Sequence, residues 1–448
     1  MKNFRRLLFV LLIVAMAVSI FTGCVSSSKD NPQSGNSGAN EGTDPKELEG
    51  GTGDIVFWMH VNDSFNSSYQ KFIDEYLKDN EKAKIDLQIF PYEVLEQKTK
   101  AAYAAGTEAD VIQGFGSWFR PIIKNDLVSE VPAELTAYFE SQYFSSALNG
   151  FKYDEKYYAV PNEVNVEYGL FYKEADLKAA GVTEIPATFG EFLEIAKKMT
   201  VRNEDGTITK AGFDFYNSDG TFFLFFDWIL QQGGSYIAED GVHLDITTPE
   251  AENVFKLMQD MSYGDNAVTD FKRTTAQLAI EQLFIKDQSA SVMKGPWVNA
   301  MFVDNKVEGY KYAVLPPAFG DKPLFVVEPG WGMIVSNRSE NKKLAWDFIK
   351  YATTSENAEI FATNTSTIPA IEAVNSSEDF LNIESNVPIR AAFEMMEDSR
   401  AIGPVIETAK VKEIISKYVL RLSAGADITE SLASAEKEIN DYYDSVLD

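Results

Sequence analysis

The six tryptophans of this 448-residue chain mostly stand beside residues that bind polar ligands. Trp58 is followed by His60, Asn62 and Asp63, and Trp118 follows Gly114-Phe-Gly116. Asp227 precedes Trp228, Gly295-Pro296 precedes Trp297, and Gly330 and Gly332 flank Trp331. Glu163, Asn165 and Tyr168 form a further polar and aromatic group. A flat aromatic face covers the C–H surface of a sugar-like ligand, and a planar carboxylate or amide pairs with its hydroxyls. All twelve residues, Trp58, His60, Asn62, Asp63, Trp118, Glu163, Asn165, Tyr168, Asp227, Trp228, Trp297 and Trp331, are therefore candidates to bind a neutral, hydroxyl-rich solute.

Each candidate has a competing packing role. Trp58 could be core beside a strand, Asp63 a helix cap, and Trp118 a partner of Phe115. Glu163 and Asn165 could hold backbone, and Trp228 lies in an apolar helix. Trp346 sits among apolar helix neighbours and reads as packing. Trp297 follows a rigid Gly-Pro turn. Trp331 has no side chain on either neighbour to crowd its ring. Both are expected to stack on the ligand, so that replacing either by Ala removes about 1–3 kcal/mol of binding and leaves the melting of the free protein nearly unchanged.

Catalytic chemistry has less support. The chain has two histidines, His60 and His243, and a single cysteine, so a His-rich zinc site and a cysteine redox pair are excluded. It contains no G-x-S-x-G, HExxH or Walker pattern. Paired carboxylates could serve a secreted glycoside hydrolase, but among 68 Asp and Glu no motif fixes one pair. An adhesion or sensor-coupled glycan-binding module is a third reading. No cofactor and no metal are expected; carboxylates could hold calcium, although no EF-hand-like loop occurs. The formal charge of −28 argues against nucleic acid as a partner and suits a soluble body.

The N-terminus points to a location. Lys2, Arg5 and Arg6 precede an apolar run from Leu7 to Phe21, and Gly23-Cys24 closes it. This order reads as a signal peptide over residues 1–23; the run is short for a membrane span of about 20 residues. The segment resembles a lipobox, with Phe21 where Leu, Val or Ile is usual. That resemblance implies lipidation, as by palmitate, at Cys24. Residues 24–53 are rich in Ser, Gly, Asn and acids, too polar to bury a core, and read as a flexible tether. The expected location is the extracytoplasmic face of the cell membrane, held by the lipid anchor alone.

The chain as a whole is 45% hydrophobic, enough for two substantial cores. Apolar periodicity alternates between strand and helix: strands near 55–59, 84–90 and 110–113, helices over 67–79 and 94–105. Such alternation predicts a mostly parallel α/β sheet covered on both faces. Further helices are predicted over 188–199, with a Thr188/Glu191 capping box, over 249–261 behind Thr248-Pro249, and over 343–353, 405–423 and 428–447.

Several of these segments resemble the extracellular solute-binding proteins of the maltose-binding type, the receptors of ABC importers. They are IVFWMHVNDSFNSSYQKFIDEY, ADVIQGFGSWFRPIIKNDLVSEV, ASVMKGPWV and PGWGMIVSNRSENKKLAWDFIKYAT, together with the stretch carrying Tyr158, Pro161, Phe171, Tyr172, Leu177, Gly181, Pro186, Thr188 and Phe192. Lys173 and Phe189 depart from that family's usual Asn and Trp. The resemblance implies a type II periplasmic-binding-protein fold of two α/β lobes, one from 54–163 and 331–397, the other from 164–330 and 398–448. Three crossings, near 162–168, 326–331 and 397–404, would join them, with Gly330, Gly332 and Gly403 as hinge positions. It also implies a monomeric receptor that holds a sugar or oligosaccharide between the lobes and passes it to the permease subunits of an ABC importer.

Overall fold

A computed structural model of the chain describes residues 51–274, 278–403 and 408–447. The signal segment, Cys24 and the tether up to residue 50 lie outside the described residues. No helix among the described residues is long and apolar enough to cross a membrane.

The first α/β repeat forms as its periodicity predicts. Strand β1 (Gly53–His60) leads into helix α1 (Asp63–Asp79), which starts before the predicted residue 67 because Asn62 caps it. The Asn62 side chain accepts the Phe65 N–H at 3.2 Å, satisfying one of the free donors of the first turn. Strand β2 (Ala83–Phe90), helix α2 (Tyr92–Ala105), strand β3 (Val111–Phe115) and helix α3 (Gly116–Lys124) follow. Next come strands β4 (Val160–Pro161), β5 (Glu163–Asn165) and β6 (Gly169–Lys173) and helix α4 (Phe189–Met199). Thr188 caps α4: its hydroxyl accepts the Glu191 N–H and donates to the Glu191 carboxylate at 3.0 Å.

Helix α5 (Ser218–Gln231) buries every residue from Gly220 to Ile229. A helix apolar all round belongs inside the protein, and α5 packs against the helices Pro249–Ser262 and Thr408–Leu422 and the strand Phe325–Pro329. Helix α6 (Pro249–Ser262) opens on Thr248 and Pro249 as predicted. The chain continues through α7 (Ile280–Ile285), β7 (Ser291–Met293), α8 (Val298–Asp304), β8 (Tyr310–Val314), β9 (Phe325–Pro329), β10 (Trp331–Val335) and α9 (Lys342–Ala352). It ends with β11 (Ile368–Pro369), β12 (Ser399–Ala401), α10 (Thr408–Leu422) and α11 (Ile428–Leu447).

Three sheets organise these elements. The first has the order β2-β1-β3-β10-β4. It is parallel only among β1, β2 and β3; β10 runs antiparallel to both β3 and β4. The second, β7-β6-β8, is antiparallel throughout. In place of the expected mostly parallel arrangement, parallel pairing holds for the first α/β repeat and, in the third sheet, for β9 with β12, while the remaining pairs of these sheets are antiparallel. Later strands return by routes that alternation of helix and strand does not specify.

The third sheet, β11-β5-β9-β12, joins pieces distant in sequence. It pairs Asn165 with Glu328, Val164 with Ile368, and Phe325 with Ser399. Three of its strands, 163–165, 325–329 and 399–401, fall in or beside the segments that the resemblance assigns to crossings. Only Gly330 separates β9 from β10, so the first and third sheets are continuous there.

Candidate ligand cavity

A cavity of about 720 Å³ opens where these sheets converge. The end of β1, the turn after it and the start of α1 contribute His60, Asn62, Asp63 and Phe65, while Tyr92 and Phe115 come from the start of α2 and the end of β3. Glu163, Asn165 and Glu167 line it at the two-residue spacing of an extended chain. Asn217, Ser218 and Asp219 come from the start of α5, and Glu281 from the start of α7. Trp297, Ala300, Met301 and Asp304 line it from one face of α8, at helical spacing. Lys294 and Trp331 complete the wall.

Helix geometry explains much of the wall's acidity. Asn62 caps α1 and Asn217 caps α5, accepting the Gly220 N–H at 2.5 Å. Asp63, Asp219 and Glu281 occupy first helical turns, where the positive end of the helix dipole favours a carboxylate.

Aromatic rings form one side. The Trp331 indole lies parallel to the His60 imidazole, with centroids 3.8 Å apart and planes 3° from parallel. It also meets Phe115 at 4.3 Å, Trp118 at 5.5 Å and Tyr92 at 5.8 Å. Trp331 is 7% exposed. The neighbouring glycines do leave it uncrowded along the chain, but rings from β1, β3, α2 and α3 surround it in space. His60 Nδ1 lies 2.9 Å from Gln113 Oε1. Burial holds the imidazole down at a pKa of about 4, so it is neutral at neutral pH.

Ion pairs form another side. Lys294 Nζ lies 3.2 Å from Glu167, and both side chains are almost fully buried. Burial opposes the Lys294 charge, but Glu167, Glu281 and Asp219 together hold the ammonium above its ordinary range. Burial pushes the Glu167 carboxyl up, while Lys294 and the Trp297 N–H, which donates to it at 3.0 Å, pull it back. Lys412 of α10 sits behind the wall, 2.6 Å from Glu328 and 2.9 Å from Asp219. Burial opposes the Asp219 charge as well, yet Lys412 and Lys294 hold its carboxyl below the usual range. Glu163 lacks such a cation; burial pushes its carboxyl up to about 8. Among the described residues no group of three or more His, Cys, Asp and Glu is arranged to hold a metal ion.

Seven of the twelve candidate residues line this cavity: His60, Asn62, Asp63, Glu163, Asn165, Trp297 and Trp331. The other five lie elsewhere. Trp58 packs under α2, its indole N–H bonded to Gln88 at 3.1 Å and Lys98 4.1 Å above its ring. Trp118 stands behind Trp331 and Tyr92 as a supporting ring. Tyr168 is fully buried, with Gln231 donating to its hydroxyl at 2.8 Å and Phe325 stacked beside it. Asp227 accepts the Val326 N–H at 2.6 Å, tying α5 to β9, and Trp228 packs on Phe189. Trp58, Asp227 and Trp228 belong to elements, β1 and α5, whose ends line the cavity while their interiors do not. Sequence reasoning passed over Tyr92, Phe115, Glu167, Asp219, Glu281 and Lys294. Two signals were available: the alternation Glu163-Asn165-Glu167, and the helix-cap pattern Asn217-Ser-Asp-Gly220.

Known proteins resemble this chain in sequence and in fold. A maltotriose-binding protein of Pyrococcus abyssi is 23% identical over 75% of this chain and 71% of its own length. A diacetylchitobiose-binding protein of Streptomyces coelicolor is 23% identical over 97% of this chain and 98% of its own. The maltose/maltodextrin-binding domain of Bdellovibrio bacteriovorus, bound to maltotriose, superposes with a TM-score of 0.75 at 20% identity, covering 88% of this chain and 100% of that one. The fold is therefore that of the two-lobe type II periplasmic binding proteins, whose relatives here are binding proteins and not enzymes. The pattern that defines the bacterial extracellular solute-binding proteins matches residues 71–386, and this chain belongs to that family.

Proposed function

We propose that the protein captures an uncharged, hydroxyl-rich solute, a sugar or oligosaccharide, in this cavity and delivers it to the permease subunits of an ABC importer. The observation that carries the reading is the composition of the wall. Aromatic rings at Trp297, Trp331, Tyr92 and Phe115 face the same space as carboxylates and amides at Asp63, Asn165 and Asp219. Rings cover the apolar faces of a pyranose, and carboxylates and amides accept its hydroxyls. The volume of about 720 Å³ falls within the range of small-molecule sites. The related proteins that bind maltotriose and diacetylchitobiose support the same ligand class.

The protein acts as a monomer outside the cytoplasm, held to the membrane through a lipid on Cys24, with residues 24–53 as the tether. Residues 54–163 and 331–397 make one lobe, residues 164–330 and 398–448 the other, and ligand binding draws them together about the third sheet. A thermal-shift screen over a panel of neutral oligosaccharides tests the ligand class. A ligand present at 100 times its Kd adds about 2.7 kcal/mol of stability. A panel that leaves the melting temperature unmoved, while another class of solute raises it, overturns the sugar reading.

A further inference from the structure

The cavity wall holds several carboxylates and, among the described residues that line it, one cation. That cation, Lys294, is not free: it is 3% exposed and 3.2 Å from Glu167. Lys412 behind the wall is spent in the same way. Its ammonium lies between Glu328, 2% exposed at its side chain, and Asp219, 41% exposed toward the cavity. Glu328 is fixed in turn, since Thr408 donates to it at 2.5 Å and its backbone pairs with Asn165 of β5.

Asp219 therefore differs from the other acids of the wall. One carboxylate oxygen is tied to a buried lysine, and that lysine is tied to a strand of the sheet joining the two halves. The side chain is ionised, cannot rotate away without breaking the ion pair, and still presents acceptor capacity to the cavity. An ionised carboxylate accepts hydrogen bonds and donates none. It suits a pair of neighbouring hydroxyls and repels a second anion. Asp63 and Asp304 also line the wall and, among the described residues, have no ion-pair partner.

We propose that Asp219 is a specificity-determining residue of the cavity, positioned by Lys412 and Glu328, which accepts hydroxyls of an uncharged sugar and excludes sugars bearing carboxylate, sulfate or phosphate. This rests on the sugar reading above and narrows it. Charge selection of this kind is electrostatic, so it weakens with salt, whereas rejection by shape does not.

The test is calorimetric titration of the intact mature protein with maltotriose, N,N′-diacetylchitobiose and arabinotriose as neutral probes, and trigalacturonate and glucose 6-phosphate as anions. At low salt the neutral probe that binds best is expected to exceed either anion at least about tenfold in affinity, and raising the salt narrows the gap. Asp219→Asn is expected to cost that neutral probe about tenfold to a hundredfold and to reduce the discrimination against anions. Free-protein melting curves show whether the variant is folded; the comparison of neutral and anionic probes needs no variant at all. Anions that bind as well as the neutral probes, or an Asp219→Asn protein that is folded and discriminates unchanged, overturn this inference and leave the sugar reading standing. Silence from every probe, neutral and anionic, overturns the sugar reading and this inference with it.

Discussion

The imidazole of His60 and the indole of Trp331 lie 3.8 Å apart and almost parallel, joining the end of β1 to the start of β10. The two residues are far apart in sequence and belong to strands that each border β3. Their stack closes one side of the cavity, so Trp331 is as much a part of the core as of the wall. Trp297 is different: it is only half-buried, at the start of α8, and its main polar contact is the bond to Glu167.

The two tryptophans should therefore respond differently to truncation. Trp331→Ala is expected to lower the stability of the free protein by about 3–5 kcal/mol, as for a core tryptophan, and to abolish binding of any sugar found by screening. Trp297→Ala is expected to weaken binding by about 1–3 kcal/mol with a much smaller change in melting. Urea unfolding and calorimetric titration of both variants check this. Equal apo stability of the two variants would show that the ring cluster around Trp331 contributes little to folding.

Stability should depend on pH with two opposing slopes. The Glu163 carboxyl titrates at about 8 in the folded protein against 4.5 when unperturbed, so the stability it contributes is full below pH 4.5 and is lost as pH rises to 8. His60 titrates at about 4 against 6.5, so its contribution is full above pH 6.5 and is lost as pH falls to 4. The two oppose each other between pH 4.5 and 6.5, and from 6.5 to 8 the Glu163 slope remains. Asp227, pushed up by burial, adds a slope of the same sign as Glu163. Melting temperatures measured from pH 6.5 to 8 are expected to fall in the parent protein and to fall less in Glu163→Gln. Parallel curves for the two proteins would remove Glu163 as a source of the slope.

Gly330 and Gly332 are required for close approach more than for unusual backbone. A Cβ on Gly330 would stand 2.6 Å from the Glu163 carbonyl oxygen, and one on Gly332 would stand 2.5 Å from the Phe151 ring. Gly403 alone of the three has a left-handed φ, +86°, and among the described residues nothing stands within 4 Å of a Cβ added there. Gly332→Ala is expected to destabilise by about 1–3 kcal/mol through overpacking, and Gly403→Ala by about 1–2 kcal/mol through backbone strain. Denaturant titrations measure both, and a neutral Gly332→Ala would mean that Phe151 yields without cost.

Closure about the third sheet is a separate expectation. Its strands carry Glu163 and Asn165, which line the cavity, and Glu328, which holds Lys412, so a ligand on the wall touches the segments that would bend. Small-angle scattering is expected to show a smaller radius of gyration when the protein is saturated with a sugar that raises its melting temperature. An unchanged radius at saturation leaves closure without support.

Cys24→Ser is expected to release the protein from the membrane fraction or to leave an unprocessed precursor. One acyl chain binds a bilayer only reversibly, so stable attachment needs the additional chains of lipoprotein processing. Mass spectrometry of the mature N-terminus decides the matter: an unmodified residue 24 on a protein that stays in the membrane fraction rules out this anchor.

Local physics made a good part of this protein legible in its sequence. The apolar periods of β1, α1 and β2, the Thr188 cap and the Thr248-Pro249 start depend on residues within a turn or two of each other, and these elements form there, α1 beginning one turn earlier than its period indicates. His60, Asn62 and Asp63 reach the cavity because they stand at or just beyond the end of a strand, which sequence spacing locates. What the sequence left open depends on neighbours distant in the chain. Trp228 and Trp331 are both tryptophans beside polar or small residues, yet one is sealed against Phe189 while the other borders the cavity, because α5 is enclosed from Gly220 to Ile229 and β10 begins at the junction of two sheets. Lys412, in the last part of the chain, reaches Glu328 and Asp219 only after α10 has packed on α5. No local rule links those three positions, since a charge inside a protein is tolerated through partners that only the finished fold brings within about 3 Å.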